Sequence, residues 1–83
     1  MEHYFILARS VTFAQRMQKL LERNGIRCQT ARASRDMTDL GCAYTVRVAA
    51  GDLSAALSIL RGSNLSPLQI FSYRLGRYRE VSL

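Results

Sequence analysis

Two thiols, on Cys28 and Cys42, are the strongest nucleophiles in this sequence of 83 residues. A thiolate makes and breaks bonds to sulfur and selenium, and its reactivity follows how far the surroundings lower the thiol pKa. The spacing of the two fits neither a zinc-ligand pattern nor a CxxC redox pair, so each reads as a free thiol. Other chemistry is sparse. His3 is the lone histidine, near a terminus, and reads as a surface residue. Asp36 and Asp39 share a polar stretch with no third partner and read as solvated or turn-forming. No Gly-rich phosphate motif and no nucleophile–His–acid set is visible. These absences argue against a multi-step hydrolase or a metalloenzyme; no metal, no cofactor and no turnover site is expected.

Charge is the second lead. The net charge is +6, and eleven of the twelve basic residues are Arg, Lys19 being the exception. Arg suits bidentate contact with phosphate or carboxylate, but a GC-rich genome produces the same bias. The Arg residues are scattered and form no basic tail. With 48% hydrophobic and 22% charged residues the composition is globular. The length allows one domain, set at residues 1–75, with a tail at 76–83. There is no apolar run near the ~20 residues of a membrane span, and Met1-Glu2-His3 does not open a secretory signal. A cytoplasmic protein is expected.

The elements that must position the thiols follow from periodicity. Tyr4 to Ala8 is a continuous apolar run of strand length. Ser10 offers an N-cap oxygen. Phe13, Ala14, Met17, Leu20 and Leu21 then recur at helical spacing until Asn24-Gly25 stops the helix. Ile26 to Arg32 alternates, with Ile26, Cys28 and Thr30 on one face. Residues 33–41 read as a polar loop. Tyr44, Val46 and Val48 alternate with Ala43, Thr45 and Arg47, which makes an antiparallel hairpin with the preceding strand. Asp52 reads as the cap of a second helix carrying Leu53, Ala56, Leu57 and Leu60, stopped at Gly62; a last strand follows over Leu68 to Tyr73. The tail from Gly76 is loose or adds a short strand through Arg77 to Val81. The order β-α-β-β-α-β predicts an α+β fold, a ferredoxin-like sandwich with a four-stranded antiparallel sheet in the order 4-1-3-2 and two helices on one face.

That topology gives Cys42 a neighbourhood. The first strand runs up and the first helix back down, so the hairpin loop and the start of the third strand sit at the top. Cys42 is thereby expected near the first helix's N-terminus, around Ser10, Val11 and Thr12, with Arg9, Arg32 and Arg35 at the same end. A helix N-terminus favours a thiolate, and Gly41 gives the backbone freedom beside it. The alternative is a small buried residue that starts a strand, as many free cysteines are. Cys28, on the apolar face of its strand, reads as core.

The open face of the sheet offers Phe5 and Leu7, with Phe71 or Tyr73. An apolar open face suggests a homodimer, or an interaction module that binds another chain through its face or edge. An RNA-recognition sheet of this topology carries stacking aromatics on its third strand. Here that strand has Ala43, Thr45 and Arg47, which argues against nucleic-acid binding.

Between Val11 and Val48 the sequence has a familiar ring: Val11-Thr12-Phe13-Ala14-Gln15-Arg16, the run LERNGIRC ending at Cys28, Arg35, and Gly41-Cys42-Ala43-Tyr44. In these features the chain resembles the selenium/sulfur carrier protein-like family of small bacterial proteins, over roughly residues 3 to 75. Cys42 falls on the cysteine of the family's Cys-Gly pair, with Ala43 in the place of the glycine and Ser34 where a proline is expected. The resemblance implies that Cys42 holds sulfur or selenium as a persulfide-type adduct, assisted by Ser10, Val11, Thr12, Arg35 and Gly41. It also implies partner proteins that donate and accept the atom.

Overall fold

The apolar run at the start of the chain forms β1 (His3–Ala8), the strand on which the sheet is built. In the computed structural model the described residues are 2–35, 43–67 and 69–81. After β1 come α1 (Val11–Arg23), β2 (Cys28–Arg32), β3 (Tyr44–Ala49), a 3-10 turn (Ala50–Asp52), α2 (Leu53–Gly62), β4 (Gln69–Arg74) and β5 (Arg77–Glu80). All pairings are antiparallel, in the order β2-β3-β1-β4-β5. The molecule is an α+β fold with two helices against one sheet. No helix among the described residues is long and apolar enough to cross a membrane.

The sheet has five strands, not the four of the expected ferredoxin-like sandwich. The added strand, β5, continues from β4 through a hairpin whose two central residues, Leu75 and Gly76, both have positive φ, 52° and 77°. A two-residue turn of this kind matches the right-handed twist of the strands it joins. Leucine is a rare residue there, which hid the hairpin from the sequence pattern.

Alternation along the strands sorts the side chains into two layers. On one face, Ile6, Ala8, Val46, Val48 and Ile70 pack against Ala14, Met17 and Leu21 of α1 and Ala56, Leu57 and Leu60 of α2. On the other, Leu7, Ala43 and Phe71 form a second, smaller core, with Phe5, Ala33 and Tyr78 packed against it. The open face is therefore less bare than expected. Leu7 is 0% exposed within the single chain, and Tyr78 of the unexpected β5 lies against Phe5. The apolar drive to dimerise through this face is reduced accordingly.

Helix ends also differ from the pattern in instructive ways. At α1 the stop is as read: Gly25 has φ 79° and the Ile26 N–H reaches back to the Leu21 carbonyl at 2.9 Å. That bond spends the Ile26 donor, so β2 begins only at Cys28. At α2 the left-handed residue is Asn64 (φ 58°), not Gly62, and the Leu65 N–H closes onto the Leu60 carbonyl at 2.9 Å. Asp52 makes no side-chain capping bond. The 3-10 turn before α2 already supplies a backbone acceptor, Ala50 O, for the Leu53 N–H.

Candidate functional site

The top of the sheet is assembled by register. Ala8, the last residue of β1, lies opposite Tyr44 at the start of β3, and Tyr44 lies opposite Arg32 at the end of β2. The chain leaving Ala8 turns through Arg9 and Ser10 directly into α1, so the α1 N-terminus is at this same end. Ser10 is extended (φ −156°, ψ 168°), and its Oγ accepts from the Phe13 N–H at 3.3 Å. Its carbonyl accepts the first helical bond, from Ala14, at 3.0 Å. The N–H groups of Val11 and Thr12 precede the first intrahelical bonds. The first turn of α1 holds no acidic residue to compete for them. The Arg9 guanidinium sits over the Phe13 ring, 4.9 Å from its centroid, and keeps a cation on the same turn.

Among the site residues expected from sequence, Ser10, Val11 and Thr12 thus share the sheet end where β3 begins. Val11 and Thr12 are exposed, and Arg35 is exposed in a turn just past β2. Gly41 and Cys42 lie outside the described residues, as do Asp36 and Asp39. The nearest described residue to Cys42 is its neighbour Ala43, buried beside Leu7 on the face away from the helices.

Cys28 has the properties of a packed thiol. It lies against the helix-side core, and its Sγ donates to the Gln18 carbonyl at 3.7 Å. Burial, with a smaller contribution from the Glu22 carboxylate, pushes its pKa up to about 11. The thiol is protonated at neutral pH and is a poor nucleophile. An open cleft of about 730 Å³ runs past Cys28 between Glu22, Arg27 and Asp52, at the sheet end opposite Ser10. Among the described residues no group of three His, Cys, Asp or Glu side chains is placed to hold a metal ion.

Sequence reasoning missed the aromatic cluster on the open face. Phe5, Tyr73 and Tyr78 come together from β1, β4 and β5, with ring centroids 4.8 to 6.4 Å apart. The signal was Tyr73 and Tyr78 placed symmetrically about a turn, legible only once Leu75-Gly76 is taken as that turn.

Residues 3–72 match the family described as "Putative Se/S carrier protein-like". The match spans most of the chain, and the protein belongs to that family. It ends within β4, so Tyr73, the hairpin turn and β5 lie beyond it. No curated protein and no solved structure matches the chain.

Proposed function

We propose that this protein is a cytoplasmic sulfur or selenium carrier in which Cys42 holds the transported atom as an adduct between a donor protein and an acceptor protein. The observation that carries the reading is family membership over residues 3–72. Support comes from the second thiol: Cys28 is held protonated by burial, which leaves Cys42 as the cysteine free to serve.

The chemistry balances without an added oxidant. The Cys42 thiolate attacks the outer sulfur of a donor persulfide. The bond between the donor's two sulfurs breaks, the donor leaves as a thiol, and Cys42 carries a persulfide anion. An acceptor nucleophile then takes that outer sulfur and returns Cys42 as a thiolate. Selenium follows the same course. The adduct is anionic, and a helix N-terminus with an adjacent Arg is a favourable setting for an anion; Ser10, Val11, Thr12, Arg9 and Arg35 are the residues proposed to provide it, with Gly41 allowing close approach.

Native labelling with a thiol reagent at neutral pH tests this reading. Cys42 is expected to react much faster than Cys28. Slow labelling of both, with fast reaction only after unfolding, contradicts a reactive Cys42.

A further inference from the structure

The sequence argued against RNA because β3 lacks stacking aromatics; the structure supplies them from other strands. Tyr73 and Tyr78 are cross-strand partners, and Phe5 meets both edge-on. Tyr73 is 44% exposed. Arg47, opposite Phe5 in the β1–β3 register, and His3 border the same aromatics around a shallow pocket of about 190 Å³. Arg47 is oriented by a hydrogen bond to Gln29 on the adjacent strand. Charge around the patch has one dominant sign. Between Asp52 and Glu80 the chain has no acidic residue but carries Arg61, Arg74, Arg77 and Arg79. Arg77 and Arg79 flank Tyr78 along the exposed edge strand, while Arg74 is paired with Glu2 at 3.4 Å. Glu80, across from Phe71, is the acidic neighbour on this face.

Aromatic faces interleaved with Arg are the means by which proteins hold unpaired bases and the phosphates between them. We propose that the sheet face around Tyr73, Tyr78 and Arg47 binds a short segment of single-stranded RNA, the nucleic acid that ordinarily presents unstacked bases. The exposed Tyr73 ring takes a base, Arg47 and Arg77 contact neighbouring phosphates, and His3 and Gln29 face the sugars. The site lies toward the His3 end of β1, and the Ser10 end is about 17 Å away along the strand. It is thus separate from the thiol chemistry and does not depend on the carrier reading.

The test is fluorescence anisotropy with a labelled oligouridylate of twelve nucleotides, on the full chain carrying Cys42→Ser so that thiol chemistry cannot contribute. Binding is expected at low salt, with a slope of log K against log salt near −2, as for three phosphate contacts. Tyr73→Leu is expected to weaken binding about tenfold, while Tyr73→Phe, which keeps the ring, retains it. Arg47→Gln on β3 lies away from the hairpin and is expected to lower affinity and flatten the salt slope by about 0.7. Circular dichroism of each variant reports folding. The proposal is overturned by absence of binding at low salt or by equal affinity of folded Tyr73→Leu. A deoxy-oligomer that binds as tightly as the RNA also overturns it.

Discussion

The backbone N–H of Ala33 donates to the carbonyl oxygen of Ala43 at 3.0 Å. This bond extends the β2–β3 ladder beyond its last paired residues, Arg32 and Tyr44, and ties the two ends of the intervening segment together. Ala43 is also buried, against Leu7 and Phe71. The residue that follows Cys42 is therefore fixed twice, by the ladder and by packing. Any group carried at position 42 starts from an anchored backbone at its C-terminal side.

The Ser10 cap is the first place to test the helix end. Ser10→Ala removes the acceptor of the Phe13 N–H and is expected to cost about 1 kcal/mol of stability. The measurement is urea unfolding of the two proteins. No change in midpoint would contradict the capping bond.

Cys28 should betray its raised pKa through pH. In a Cys42→Ser background, its alkylation in the native state should be slow at pH 8 and rise about tenfold per pH unit until near pH 11, where the thiolate is fully formed. The stability consequence has a definite sign. The folded state holds this proton more tightly than the unfolded chain, whose value is 9.0. The Cys28 contribution is complete below about pH 9 and is lost as pH rises through about 11. A plateau in labelling rate near pH 9 would contradict the raised value.

The β4–β5 turn carries strain at an exposed position. Leu75 has φ 52° and is 96% exposed, so its side chain gains little packing to offset the left-handed backbone. Leu75→Gly relieves the steric cost, which is about 1 kcal/mol. Thermal unfolding should show a higher midpoint for the variant; a lower one would mean that Leu75 makes a stabilising contact.

Much of the scaffold was legible because periodicity and burial agree. The α1 stripe of Ala14, Met17 and Leu21 is buried as its spacing demands. Val46 and Val48 point to the helices, as alternation requires. What escaped the sequence depends on long-range geometry. β5 is four residues with three charges, held by pairing with β4, and no apolar pattern announces it. The second core needs Leu7, Ala43 and Phe71 from three separate segments. The positive-φ residue that closes α2 is Asn64, although Gly62 looked the better stop, because the helix runs on to include Gly62. At the candidate site, Ser10 and its cap were readable from residue type alone. Cys42 was readable as a motif, but its surroundings lie outside the described residues.

Adduct mass is the most direct test of the carrier claim. The wild-type protein, Cys42→Ser and Cys28→Ser would each be incubated with a cysteine desulfurase and cysteine, without reductant, and weighed intact. Wild type should gain the mass of one sulfur atom, as should the folded fraction of Cys28→Ser, and Cys42→Ser should gain none. Uptake of sulfur by Cys42→Ser, or its loss in folded Cys28→Ser, would contradict the assignment of the carrier thiol to Cys42.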